Sequence, residues 1–176
     1  MRRLALLVLV AAVLLALPRM IDTSALPTQV TDLIGTTEGE RTRAVVVRVT
    51  DGDTLRVRVP GGREEAVRVL GIDTPEVHPE LECGGLEATS ALERLAPVGS
   101  KVVLASDPTQ ADRDRYDRLL RYVGRSGDDV GLAQVTSGHA QVFVFRDDPF
   151  ERNRAYQRAE RTARQDGRAS WARCWG

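Results

Sequence analysis

From Ala44 onward the chain alternates apolar and polar residues with period two, and that alternation is what most limits its fold. Val45, Val47 and Val49 form one run and Leu55, Val57 and Val59 a second, with Arg48, Arg56 and Arg58 between them. Successive side chains of a strand point to opposite faces, so this pattern predicts two half-buried strands. Asp51-Gly52 between the runs is a hairpin signal, and Gly61-Gly62 is another before a third strand over 67–72. Further strands are predicted over 101–105 and 119–123, with a short one over 141–145.

Three helices fit between and after these strands. One runs from about Leu86 to Ala96 and is stopped by Pro97 and Gly99; another runs from about Asp129 to Ser137 and is stopped by Gly138. The third is expected to open at Asp148-Pro149-Phe150-Glu151, with Asp148 as cap, Pro149 at the first helical position and Glu151 at the capping-box position, and to end near Asp166-Gly167. Three strands, a helix, two strands and then helices make an α+β fold that is mainly β. The expected architecture is a five-stranded barrel of the oligonucleotide-binding type with three packed helices, although other α+β topologies share the same periodicity.

The N-terminus has a different character. After Met-Arg-Arg, 14 apolar residues run without interruption from Leu4 to Leu17. A bilayer span needs about 20 residues, so residues 1–25 are expected to be a signal peptide, with Thr23-Ser24-Ala25 as the best cleavage site, or an N-terminal anchor if uncleaved. Residues 26–42 lack periodicity and are expected to be a flexible linker, and 43–176 the globular domain. In either case the domain is expected to be secreted or held in the cell envelope, with a membrane contacted only through the N-terminal segment. Without residues 1–25 the chain keeps 22 basic and 24 acidic residues, a net of −2. A strongly basic nucleic-acid footprint is absent, so any grip on nucleic acid must come from locally placed arginines.

Cys83 and Cys174 are the two cysteines. In an exported chain they most simply form one disulfide, which in the chain-entropy picture is worth roughly 4–5 kcal/mol. A zinc site with His78 and His139 is the rival, but it lacks a closely spaced ligand pair.

Five side chains in three short stretches carry chemistry: Asp53 in Asp-Gly-Asp-Thr, Arg68, Asp73 and Glu76 in the stretch ending Asp-Thr-Pro-Glu, and Arg118 in Asp-Arg-Tyr-Asp-Arg. Three carboxylates can hold a hard divalent cation and a water, and two guanidiniums can clamp a phosphate. Each stretch also has an ordinary reading. Asp53 opens a strand after a hairpin turn, and Pro75 ends the third strand and leaves Asp73 and Glu76 on a solvated turn. Arg118 sits in a charge run, and Arg68 is an outward arginine like Arg56 and Arg58. Strict alternation puts Arg68 and Asp73 on opposite faces, so a bulge or strand end near Gly71 is needed to bring them to one site.

Taken together and in order, Asp-Gly-Asp-Thr, Arg followed by Asp-Thr-Pro-Glu, and Tyr-x-Arg before the fifth strand resemble the staphylococcal thermonuclease family over residues 44 to about 171. The resemblance implies a calcium-dependent nuclease that hydrolyses DNA and RNA to 3′-phosphate products. It implies that Asp53, Asp73 and the Thr74 carbonyl bind Ca²⁺, that Glu76 orients or deprotonates the attacking water, and that Arg68 and Arg118 hold the phosphate. Substrate contacts are implied for Arg115, Tyr116, Phe143 and Phe145. The two phenylalanines stand where the family's best-known member has tyrosines, and the loop from Glu76 to Cys83 is shorter. A monomer is expected. Two other classes remain open on the residues alone: a non-catalytic barrel that binds nucleic acid or protein, and a structural module of the cell envelope.

Overall fold

A computed structural model describes residues 39–175. The expected signal or anchor segment and most of the linker lie outside the described residues. Eight strands run in chain order as β1 (Arg41–Val49), β2 (Thr54–Arg58), β3 (Glu64–Val69), β4 (Ile72–Asp73), β5 (Lys101–Ala105), β6 (Leu119–Arg125), β7 (Asp128–Asp129) and β8 (Gln141–Val142). The helices are α1 (Gly85–Leu95), α2 (Val130–Ser137), α3 (Asn153–Gln165) and a short α4 (Ser170–Arg173).

The main sheet has the order β3-β2-β1-β5-β6-β7, and a parallel pairing of β3 with β6 joins Val67 to Leu119 and Val69 to Arg121. That pairing closes a five-stranded barrel of the expected type, which leaves none of its five strands with an open edge. Leu55, Val57, Val67, Val69, Val102, Leu104 and Val123 fill its interior, and Leu92 of α1 and Tyr156 of α3 extend the same core. In β1 the face differs from the expected one: Ala44 and Val46 point inward and Val45 and Val47 do not, because an irregularity between Val46 and Arg48 shifts the register before Val49 meets Leu55. The Asp51-Gly52 turn joins β1 to β2, with Val49 opposite Leu55 and the Thr50 amide donating to the Thr54 carbonyl at 2.8 Å.

Several boundaries differ from the periodic reading, each for a physical reason. The third strand is not continuous over 67–72. It stops at Val69, and Leu70-Gly71 makes a turn with Gly71 at φ +80 before β4 resumes. The strand expected over 141–145 shrinks to Gln141–Val142, because it pairs with the two residues of β4 and the next position would face the turn at Gly71. Phe145–Asp147 then forms a 3₁₀ turn. α4 was not visible in the pattern.

The third helix is the clearest correction. It starts at Asn153, and Asp148 is the residue that ends the 3₁₀ turn instead of a helix cap. Two acids, Asp107 buried and Asp129 half-buried, fix the helix start in its place. Asp107 accepts hydrogen bonds from the Tyr122 hydroxyl, from the Glu151 amide at 2.8 Å and from the Thr109 amide and hydroxyl. Asp129, which caps α2 through the Leu132 amide, accepts from Arg152 Nη1 at 2.6 Å and from the Tyr156 hydroxyl at 2.8 Å.

Burial pushes the Asp107 carboxyl up, but the bonds from Thr109, Tyr122 and the Glu151 amide outweigh it and hold the pKa below the usual value. A depressed folded-state pKa contributes stability above the unfolded value, near pH 4, that is lost as pH falls through the folded value. Asp107→Asn should therefore lower unfolding free energy by about 1–3 kcal/mol at neutral pH. Urea titrations below pH 4 should show the gap to wild type closing; a constant gap would remove the carboxylate from this account.

Candidate active site

The site is assembled where the β1–β2 turn, the end of β3, β4 and the loop before β6 meet. Asp53 lies on the parity of Leu55 and Val57 and is 5% exposed. Its Oδ1 accepts from the Thr54 hydroxyl at 3.0 Å, and its Oδ2 accepts from the amide and hydroxyl of Thr74, both at 3.0 Å. These bonds tie the Asp-Gly-Asp-Thr turn to the Asp-Thr-Pro-Glu segment. Gly52 shows how close the two run, since a Cβ there would fall 2.7 Å from the Thr74 hydroxyl and from Ala88 of α1.

Arg68 joins the two acids that strict alternation would separate. Its Nη1 lies 3.0 Å from Asp53 Oδ2 and its Nη2 lies 2.7 Å from Asp73 Oδ1, while Nη1 also donates to the Ile72 carbonyl at 2.7 Å. The left-handed turn at Gly71 makes this possible, and only glycine fits there: a Cβ would enter the Phe150 ring at 2.4 Å. Burial pushes the Asp53 pKa up to about 7 against the pull of Arg68. A buried carboxylate of this kind is stabilised in its ionised form by a nearby cation.

Arg118 reaches the same point from the other side. Its Nη1 donates to the Thr54 hydroxyl at 3.3 Å, and its Nε is held by Asp114 Oδ2 at 2.7 Å. Asp114 Oδ1 also accepts from the amides of Tyr116 and Arg118, each at 2.9 Å, so one carboxylate organises the charged loop. Partial burial raises the Asp114 pKa, but the Arg118 side chain and these amides hold it below the ordinary value. Tyr116 is 63% exposed, and its ring faces the guanidiniums of Arg115 and Arg118 at 4.6 and 5.4 Å.

Glu76 sits at the mouth of a short loop closed by two bonds. Its amide donates to Glu82 Oε2 at 2.9 Å and its carbonyl accepts from the Glu82 amide at 2.9 Å. Its pKa is raised by burial first, then by the charges of Asp51 and Asp73. Phe143 and Phe145 are both exposed, with ring centroids 6.5 Å apart, and the Phe143 amide donates to the Gly71 carbonyl at 3.0 Å. That bond places the aromatic pair beside the turn that aims Asp73. Cys83 and Cys174 are joined as a disulfide, as expected.

The sequence-predicted residues thus converge, and four others support them. Asp51 Oδ1 accepts from the Asp53 amide at 3.1 Å, and Thr54 links Asp53 to Arg118. Glu82 clamps Glu76. Gln134 of α2 is fully buried and donates to the Gly52 carbonyl at 2.7 Å and the Ala88 carbonyl at 3.0 Å, which pins the β1–β2 turn to α1. A lone buried glutamine in a helix pattern was the available signal. Gln134→Leu keeps the volume but strands the Gly52 carbonyl, and is expected to cost about 1–3 kcal/mol. Chemical unfolding midpoints check this, and an unchanged midpoint would sink it.

Among the described residues no three His, Cys, Asp or Glu side chains stand together as a ready-made metal cluster, since Arg68 lies between Asp53 and Asp73. The donor chemistry nevertheless fits a hard divalent cation. Asp53 and Asp73 supply carboxylate oxygens, Thr74 follows with its carbonyl, and the buried Asp53 carboxyl gains from any positive charge brought to it.

Residues 66–173 match the model of the family described as staphylococcal nuclease homologue, more than half of the chain. The chain belongs to that family. The matched stretch takes in Arg68, Asp73, Thr74, Glu76 and Arg118, while Asp53 lies upstream of it. Endonuclease YhcR of Bacillus subtilis is 28% identical over 144 residues, which cover 76% of this chain and 12% of that protein. Endonuclease YncB of the same organism is 28% identical over 127 residues, covering 72% and 60%. The thermonuclease of Staphylococcus hyicus is 40% identical over 81 residues, covering 44% and 46%. The chain therefore spans less than two thirds of the length of each of these relatives.

Proposed function

We propose that this chain is a nuclease that hydrolyses phosphodiester bonds of DNA and RNA with calcium and leaves 3′-phosphate ends. The observation that carries the reading is the convergence of Arg68 and Arg118 on the Asp53–Thr54 pair, with Asp73 paired to Arg68 and Glu76 near enough to feel the charges of Asp73 and Arg68. The nuclease names of its relatives support the same reaction class.

Asp53, Asp73 and the Thr74 carbonyl would hold the cation, which when bound supplies positive charge to the phosphate and to the attacking water. The residues of the chain do the rest. Glu76, its pKa already raised, accepts the proton of the water as the new P–O bond forms. The P–O5′ bond breaks, the 5′-oxygen leaves with its electron pair and takes a proton from solvent to become a hydroxyl, and the phosphate stays on the 3′ side. Arg68 and Arg118 donate to the non-bridging oxygens, where negative charge grows in the transition state; their planar forks suit that geometry better than lysine would. Tyr116 with Arg115, and Phe143 with Phe145, offer exposed faces on which bases stack.

The expected setting is extracytoplasmic, with the chain acting as a monomer. A disulfide persists in oxidising compartments, which supports that setting. Among the described residues no helix is long and apolar enough to cross a membrane.

The rival binding module draws on one observation: Arg68 already spends its donors on Asp53, Asp73 and the Ile72 carbonyl, as a static structural arginine would. Incubation of the purified chain with single-stranded DNA and RNA, with calcium and with chelator, separates the two. Calcium-dependent cleavage to 3′-phosphate ends supports the nuclease, and intact substrate with every divalent metal tried would move the assignment to the binding module.

A further inference from the structure

We propose that the outer face of α3 is a second contact for nucleic acid, which holds the backbone of a strand beyond the phosphate in the cleft. The inference rests on the nuclease reading for the identity of the polymer, and deepens it by naming extended polynucleotides as the preferred substrate.

Charge is segregated in this chain. Between Arg152 and Arg168 there are six arginines against Glu160 and Asp166, whereas the rest of the chain from residue 26 carries 16 basic and 22 acidic residues. The positive charge is therefore concentrated on α3, which carries four of the six, and on its immediate flanks, in an otherwise acidic chain. Arg154, Arg158 and Arg161 recur at i, i+4 and i+7, which aligns them in one stripe opposite the buried face that carries Tyr156 and Ala163. All three are exposed.

The nearby acids are already engaged. Glu160 Oε1 accepts from the Val142 amide at 2.7 Å, and Asp166 is paired with Arg168 at 2.8 Å. Among the described residues, no carboxylate lies in ion-pair range of Arg154, Arg158 or Arg161; Arg152, by contrast, is committed to Asp129. Glu151, Asp147 and Asp148 precede the helix without closing on the stripe. Three unpaired arginines on one helix face repel one another and have no structural return, but they complement a polyanion. The stripe is about 10 Å long, on the scale of a few phosphates.

The helix is also joined to the cleft. Glu160 bonds β8, β8 pairs with β4 so that Gln141 faces Asp73, and the exposed Phe143 and Phe145 continue from β8. A strand leaving the phosphate site over that aromatic pair arrives at α3.

The test compares the full chain with an Arg154→Gln/Arg158→Gln/Arg161→Gln variant and with the triple Arg→Lys variant. A fluorescent 30-nucleotide single strand is bound in chelator, across salt from 50 to 200 mM, beside a trinucleotide. For the 30-mer the glutamine variant should bind roughly 10- to 100-fold more weakly at low salt, and its log Kd against log salt slope should fall by about 2, since each single-strand phosphate contact contributes about 0.7. The lysine variant should stay close to wild type, and the trinucleotide should not discriminate among the three. An unchanged slope overturns the proposal, as does a variant that loses binding only to phosphatidylglycerol vesicles. Because binding is read in chelator, it does not depend on turnover, and absence of cleavage in a separate incubation with calcium would count against the nuclease reading alone.

Discussion

Glu76→Gln is expected to lower kcat by about 100- to 10,000-fold with little change in KM or in unfolding midpoint, the range typical of a positioned general base. The amide keeps the size of the side chain but cannot take the proton from water. The loop should stay in place, because its two closing bonds join the Glu76 backbone to the Glu82 carboxylate and amide and leave the Glu76 side chain out. Arg118→Ala is expected to lose about 100- to 1,000-fold by a different route, through missing donors to the developing phosphate charge. It also leaves Asp114 without its partner, so a small loss of stability should accompany it. Steady-state kinetics on a labelled oligonucleotide measure both. A Glu76→Gln enzyme within a few fold of wild type would require another base.

Opening the Cys83–Cys174 disulfide is expected to cost about 2–5 kcal/mol in unfolding free energy. It should also lower activity, on the order of tenfold, before the barrel unfolds. Cys83 follows Glu82 directly, the residue that clamps Glu76, and its partner lies just after α4. The loop and α4 are packed tightly, since a Cβ on Gly84 would fall 2.6 Å from the Ser170 hydroxyl. The bond therefore tethers the loop of the proposed base to the C-terminal helix. Cys83 is exposed, so small thiols can reach it. Denaturant curves and initial rates with and without dithiothreitol, beside a Cys83→Ser/Cys174→Ser variant, measure the two effects. Reduced enzyme with full activity and an unchanged midpoint would leave the disulfide without either role.

Much of the barrel was legible because its signals are local. Alternation marked β2 and β5 closely and located β1, though it chose the wrong face there, since Ala44 and Val46 are buried in place of Val45 and Val47; the Asp51-Gly52 turn and the stop at Pro75 follow from backbone chemistry that needs no distant partner. The same local rules misplaced the start of α3. Asp148, Pro149 and Glu151 make a good capping sequence, but buried bonds from Glu151 and Arg152 to Asp107, Tyr122 and Asp129 set the helix one turn later. Those partners are distant in sequence, and a capping pattern does not register them.

By itself the sequence determined the set of reactive groups and their order, because carboxylates, guanidiniums and turn residues are fixed by residue type and spacing. It also determined that one side of each long strand must be buried. Only the tertiary structure decided that these groups share one site. Arg68 and Asp73 fall on opposite faces of a regular strand and meet because Gly71 turns back under Phe150. Arg118 joins them because β6 closes the barrel against β3, and Gln134 enters from a helix more than eighty residues away to hold the turn. Alternation and capping act over a few residues, whereas barrel closure and buried hydrogen bonds act between segments that meet only when the chain has folded.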